Sequence, residues 1–311
     1  MQPQIQTQPE SSPGKMANWK VWWRLLRPHT LSAAFIPVFI GTASALFVTT
    51  IDIPLFFVML LACLLIQAGT NMINEYFDFK RGLDTAESVG IGGAIVRDGI
   101  KANTVLRLAF IFFGIATLLG VYISMSSSWW IALIGTICMT AGYFYTGGPV
   151  PIAYTPFGEL VAGLFMGLII ILLSFYIQTG TITATIILIS VPISILVGAI
   201  LLANNIRDLD GDKENGRKTL AILIGRKNAI TFLALMFITS YIWIIVLIFV
   251  DLASVWSLLV LISIPKAIQA TKGFIGKTQP IQMMPAMKAT AQTNIHFGFL
   301  LSIGLIVSYI V

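Results

Sequence analysis

The chain has 311 residues, 57% of them hydrophobic and only 10% charged, with 19 Lys and Arg against 13 Asp and Glu. A soluble domain carries roughly 25% charged residues, so this composition excludes an ordinary soluble globule and points to an integral membrane protein. The formal charge of +6 needs no nucleic-acid partner, because the bases are distributed as a membrane topology would distribute them.

Residues 1–18, rich in Gln, Pro and Ser, read as a disordered tail without the apolar core of a cleavable signal. Residues 19–29, beginning "WKVWWRLLRP", read as an amphipathic helix whose Trp and bases anchor it at the membrane interface. The remainder, 19–311 with that helix included, reads as one transmembrane domain. Its apolar runs give about nine spans of roughly 17–25 residues each, near 31–50, 54–76, 104–124, 129–146, 158–178, 181–205, 229–250, 252–270 and 293–311. They are expected to be helices, since lipid offers backbone groups no partner and a barrel would alternate polar with apolar residues.

The bases then fall on one side. Lys15, Lys20, Arg24 and Arg27 precede span one, and Lys80, Arg81, Arg97, Lys101 and Arg107 surround the loop after span two. Arg207, Lys213, Arg217, Lys218, Arg226 and Lys227 follow span six, and Lys266, Lys272, Lys277 and Lys288 belong to the loop after span eight. This puts the N-terminus and those loops in the cytoplasm and the C-terminus outside. Cys63 and Cys138 fall inside spans and are expected as packed free thiols. His29 and His296 are too far apart in sequence to form a motif.

Two polar clusters interrupt the apolar pattern. Span two ends in "NMINEYFDFKRGLD", residues 71–84, and span six in "NNIRDLDGDKENGRKTLA", residues 204–221. On a helix Asn71, Asn74 and Asp78 share a face with Glu75 beside them; Asn204, Asp208 and Asp212 share another if the helix persists, while Asp210 points elsewhere. Each Asp costs roughly 2.5–3.5 kcal/mol at mid-membrane and less near an end, so two matched sets on one side of the bundle suggest a site. Carboxylate and amide oxygens suit Mg²⁺, which commonly completes its shell with water and substrate phosphate. With the neighbouring bases, the ligand expected is a diphosphate. The spacing of four spans between clusters also suggests a repeated four-helix unit.

The motif "NEYFDFKRGLD" resembles the first aspartate-rich motif of the UbiA-type intramembrane prenyltransferases, with Asn74, Glu75, Asp78 and Asp84 in its places and Glu75 where that motif usually has Asp. Asp208 and Asp212 match the second, DxxxD. Within that superfamily "RPHTL", "YFDFKRGLDT", "FYTGGPVPIAYTPFGE" and "NNIRDLDGDKENGRKTLAILIG" most resemble the menaquinone-pathway branch. The resemblance implies an all-α bundle around a central cavity in the bacterial inner membrane. It also implies transfer of a polyprenyl group from its diphosphate to 1,4-dihydroxy-2-naphthoate, with loss of carbon dioxide.

The metal set implied is Asn74, Glu75, Asp78, Asp84, Asp208 and Asp212, holding two Mg²⁺ ions across the diphosphate, with Asn74, Asp78, Asp208 and Asp212 as the catalytic core. Lys80, Arg81, Arg207 and Lys218 are expected at the diphosphate. Arg97 is a candidate for the acceptor's carboxylate, and Tyr143 and Tyr145 for shielding a carbocation. Gly158, Gly163 and Gly167 either let helices approach or leave room for a tail. Other acceptors, such as a hydroxybenzoate, homogentisate or haem, stay within the family. A CDP-alcohol phosphotransferase would gather its acids in one stretch, and a cation-coupled transporter would place them near the bilayer midplane. Oligomeric state is left open.

Overall fold

The computed structural model describes residues 19–28, 30–84 and 93–311; the tail expected over 1–18 lies outside them, as does His29. Regular structure among the described residues is helical. After α1 (Trp19–Leu25) come α2 (Ser32–Ala45), α3 (Ile53–Lys80), α4 (Ala102–Ser126) and α5 (Trp130–Thr146). They are followed by α6 (Gly158–Thr179), α7 (Ala184–Glu214), the short α8 (Leu220–Ile224), α9 (Arg226–Phe249), α10 (Ile264–Phe274) and α11 (Pro280–Ile310).

Local chemistry sets the helix ends. Asp52 accepts the Leu55 N–H at 2.9 Å, with Pro54 in the first turn of α3, and Thr183 accepts from Ile186 at the start of α7. Gly180, left-handed at φ +70°, closes α6. The helix expected over 19–29 forms as Trp19–Leu25, burying Val21 and Leu25 while Trp19 and Trp23 stay exposed.

Among the described residues six helices, α3, α4, α6, α7, α9 and α11, are long and apolar enough to cross a membrane. The other three spans expected from sequence do not meet that test. The 14 residues of α2 and the 17 of α5 reach about 21 and 26 Å at ~1.5 Å per residue, short of the roughly 30 Å hydrocarbon core. Where one span was expected over 252–270, a tighter 3₁₀ stretch, Val255–Ser263, leads into α10. Large apolar side chains remain exposed, among them Leu118, Met125, Trp130, Leu133 and Leu160, as lipid-facing positions of a multi-pass membrane protein would be.

The main core joins α2, α6, α7, α9 and α11 through residues such as Ile36, Ile171, Ile193, Leu233 and Phe297. Here the glycines of α6 serve packing. A Cβ on Gly167 would lie 2.4 Å from the Ser194 Cα, and one on Gly163 2.5 Å from the Ser194 carbonyl oxygen, so α6 and α7 touch backbone to backbone. Gly167→Ala is therefore expected to cost on the order of 1–3 kcal/mol. Gly114→Ala, where a Cβ meets nothing within 4 Å, should leave stability unchanged or slightly raised. Thermal unfolding midpoints in detergent check this, and equal midpoints for the two variants would show that the helices are not in backbone contact.

Candidate active site

Helices α2 to α7 enclose a cavity of about 290 Å³. Met59, Ile66, Ile123, Phe165, Met166 and Leu201 supply apolar walls, while Arg27, Thr30, Gln67, Asn71, Asn74, Tyr145 and Asn204 gather toward the helix ends that carry the acidic motifs. Residues 163–169 of α6, which supply Phe165 and Met166, wind as a π-helix, a local widening common beside functional sites. Cys63 and Cys138 are free and line the same cavity. A roomier hollow of about 470 Å³ lies among Ser44, Thr183, Asp251 and Ser308, and no motif residue lines it.

Residues 71–80 of the first motif and 204–214 of the second lie on unbroken helix, because α3 runs to Lys80 and α7 to Glu214. They then end alike. Gly82 (φ +71°) and Gly216 (φ +76°) reverse the chain; Leu83 N–H reaches back to the Asp78 carbonyl and Arg217 N–H to the Asp212 carbonyl, each at 2.9 Å. This is the hydrogen bond of a glycine-terminated helix end, placed four residues after an aspartate in each motif.

The second reversal delivers Arg217 into the site. Its guanidinium lies 3.1 Å from Asp78 Oδ1 and 3.0 Å from Asp212 Oδ1, and it stacks over the Tyr154 ring at 4.9 Å. Carboxylates from α3 and α7 thus converge within the width of one planar cation. Burial works to lower the Arg217 pKa, but Asp212 and Asp78 more than offset it, and the net direction is upward. Asp84, just past α3, has its carboxyl pushed up to about 6, first by burial and then by the Asp78 carboxylate, with Arg27 opposing.

The remaining expected residues divide. Asn74 lines the cavity and accepts a hydrogen bond from the Thr146 hydroxyl. Asp208, whose side chain is 38% exposed, is held by Arg207, with Nε–H donating to Oδ1 and a terminal N–H to Oδ2. Asp210 turns away to Arg226 at 2.9 Å. Glu75 is fully buried; its Oε1 accepts the Ile95 N–H at 3.1 Å and its Oε2 lies 3.9 Å from Arg27.

Arg81 donates to the carbonyls of Thr146 and Gly148 and sits between the rings of Phe77 and Tyr154, clamping the turn after α5. Lys80 is exposed, 5.9 Å from the Tyr76 ring centroid, and Lys218 is exposed with its backbone N–H on the Tyr154 carbonyl. Arg97 is exposed and does not line the cavity. Tyr145 lines it, whereas Tyr143 packs edge-on against Phe77 and Phe144. Glu159 is buried and accepts from Asn205 at 2.8 Å.

From sequence Arg217 is expected only as one of the bases around the second cluster, without an assigned role, and Tyr154 is not expected at the site. The signal for Arg217 was the glycine before it, a helix stop that folds the next residue back. Nothing in the sequence singled out Tyr154.

Residues 34–308 match the UbiA prenyltransferase family. The chain is 58% identical over 300 residues to the 1,4-dihydroxy-2-naphthoate octaprenyltransferase of Bacillus subtilis (strain 168), covering 96% of each protein. It is 25% identical to the enzyme of the same name from Escherichia coli (strain K12), covering 94% of this chain and 97% of that one. Among solved structures, a UbiA homolog from Archaeoglobus fulgidus bound to GPP and Mg²⁺ superposes with a TM-score of 0.64 at 16% identity, over 91% of this chain and 99% of that one. A match spanning most of the helical bundle, with both acidic helix ends inside it, places the chain in the UbiA prenyltransferase family.

Proposed function

We propose that the protein transfers a polyprenyl group from a polyprenyl diphosphate to 1,4-dihydroxy-2-naphthoate, releasing carbon dioxide and giving a demethylmenaquinol, in a Mg²⁺-dependent reaction. The observation that carries the acceptor is the 58% identity, over nearly the whole of both chains, to the Bacillus subtilis octaprenyltransferase. The cavity supports the reaction class, since it joins apolar walls to a polar end that faces the helix ends carrying the acidic motifs. The finer reading is nine membrane helices, with α2, α5 and the 3₁₀–α10 segment completing the bundle. It puts the motif ends in the cytoplasm of a bacterial inner membrane and assigns two ions to the site.

The donor set suits Mg²⁺. Asp78 and Asp212 meet one guanidinium from opposite helices, and Asn74 and Asp208 add hard oxygens one turn before them. Among the described residues no three carboxylate, imidazole or thiol groups lie close enough to hold an ion by themselves. Such a site relies on substrate phosphate and water for the rest of the shell, as Mg²⁺ sites commonly do. When bound, Mg²⁺ withdraws electron density from the diphosphate and eases its departure.

The chain's own residues do the remainder. Asp78, Asp208, Asp212 and Asn74 hold the charged end; Arg207 orients Asp208; Asp84 extends the first acidic set. Lys80 and Lys218 supply positive charge at the exposed rim. Arg81 fixes the end of α5, where Tyr145 faces the cavity. The apolar walls dissolve the prenyl tail and keep water from an electron-poor allylic carbon, with the Tyr145 ring beside it.

The test is prenyl transfer by the purified protein in detergent, with 1,4-dihydroxy-2-naphthoate and a polyprenyl diphosphate, in Mg²⁺ and then in chelator. A prenylated, decarboxylated naphthoquinol is expected only with Mg²⁺. Product from hydroxybenzoate or homogentisate instead would replace the acceptor. Untouched substrates with demonstrably folded protein would overturn the enzyme reading in favour of a transporter.

A further inference from the structure

Arg27 is held in an unusual way. Its φ of +51° is left-handed, a conformation that side-chain-bearing residues seldom adopt and that persists where surrounding contacts enforce it. Those contacts are visible. Its N–H bonds the Arg24 carbonyl at 3.0 Å, and its own carbonyl accepts from the Thr30 N–H and hydroxyl at 2.8 and 2.9 Å. Asn71, from α3, donates to the Leu26 carbonyl at 3.0 Å and to the Thr30 hydroxyl at 2.9 Å. A buried amide thus clasps the turn on both sides of Arg27. Glu75, one helical turn further along α3, sets its charge 3.9 Å from the guanidinium.

The side chain so positioned lines the cavity beside Thr30, Asn71 and Asn74. Its Nε is buried without a hydrogen-bond partner. Among the described residues Arg27 is the only Lys or Arg that lines the cavity, whereas Arg97 lies outside it. A guanidinium presents a planar fork of donors matched to a carboxylate, and the proposed acceptor carries one carboxylate on an otherwise aromatic body.

From this geometry we infer that Arg27 is the anchor for the acceptor's carboxylate, with Asn71 and Glu75 as the residues that position it; the inference rests on the aromatic-acid acceptor proposed above. The anchor holds the acid at the polar end of the cavity, beside the diphosphate site. In the reaction the prenyl C1–O bond breaks and its electron pair leaves on the diphosphate while the ring carbon that bears the carboxylate bonds to C1. The ring–carboxylate bond then opens, releasing carbon dioxide and leaving its pair with the ring.

The experiment compares two competitive inhibitors of the purified protein, 1-hydroxy-2-naphthoate and 1-naphthol, which differ by the carboxylate. Wild type should bind the acid at least about tenfold better, read both from inhibition and from thermal shift without turnover. Arg27→Asn, chosen because Asn tolerates the left-handed backbone, should erase that preference, raise KM for the dihydroxynaphthoate about tenfold or more, and leave KM for the prenyl diphosphate within about twofold. Arg27→Lys should restore part of the preference. An intact preference in Arg27→Asn, or a loss confined to the diphosphate KM, overturns the assignment and makes Arg27 a phosphate ligand or a structural turn. So does wild type that does not distinguish the two probes, an arm that needs no variant to fold. If wild type binds the acid probe yet transfers nothing to the dihydroxynaphthoate, it is the acceptor reading that fails.

Discussion

Alanine at Asp78 or at Asp212 is expected to lower prenyl transfer by at least about 10²–10³-fold, the range seen when one preorganised electrostatic partner of a transition state is removed, while the helical bundle stays assembled. The two effects separate because each carboxylate meets the same cation. Arg217 lies within 3.1 Å of both, so either single variant leaves it one partner, and an uncompensated buried charge, the costly outcome, is avoided. The double variant removes both partners and should lose stability as well as activity. Its residual rate should be little below that of the worse single variant, because groups serving one metal–diphosphate unit are not additive. Initial rates across a Mg²⁺ titration, read beside thermal midpoints in detergent, check each part. Ordinary rates in both single variants would remove the acids from the chemistry. A single variant that fails to assemble would make them structural.

The pattern of oxygen-bearing residues was readable in the sequence because helical periodicity puts i, i+4 and i+8 on one face, and the structure extends α7 far enough for Asn204, Asp208 and Asp212 to keep it. Asp210 turns away as that periodicity requires. Asn71 follows the same logic to a different end: it shares the face with Asn74 and Asp78, yet its amide holds the turn at Leu26 and Thr30. Periodicity assigns a face and does not say which neighbour arrives there first.

Glu75 illustrates a second limit. Its neighbour in sequence is Asn74, but a step of about 100° around the helix carries its carboxylate to Ile95 and Arg27. The basic residues were the least legible. Charge patterning sorts them by membrane side and is silent on whether a guanidinium ends on a carbonyl, as Arg81 does, or on a neighbouring acid, as Arg207 does. Span counting runs ahead of helix length where hydropathy stays high but the backbone does not remain α-helical for a full bilayer, as over Val255–Ser263.

Arg217→Gln is expected to have an effect nearly as large as loss of an aspartate, with kcat/KM for the prenyl diphosphate lower by about 10²-fold. One guanidinium joins the first motif to the second, and the Gly216 reversal and the Tyr154 ring fix where it lies. Gln keeps hydrogen-bonding capacity and much of the length but not the charge, so it leaves Asp78 and Asp212 facing each other uncompensated. Arg217→Lys separates charge from shape. A lysine supplies a point charge without the planar fork that meets two carboxylates at once, and should recover part of the activity. The Gln variant should also depend more steeply on Mg²⁺, because a divalent ion becomes the main cation holding the two helix ends together; its thermal midpoint should rise further on adding Mg²⁺ than wild type's does. Equal Mg²⁺-induced shifts, together with an unchanged KM for the diphosphate, would reduce Arg217 to a tie between helices with no part in binding the leaving group.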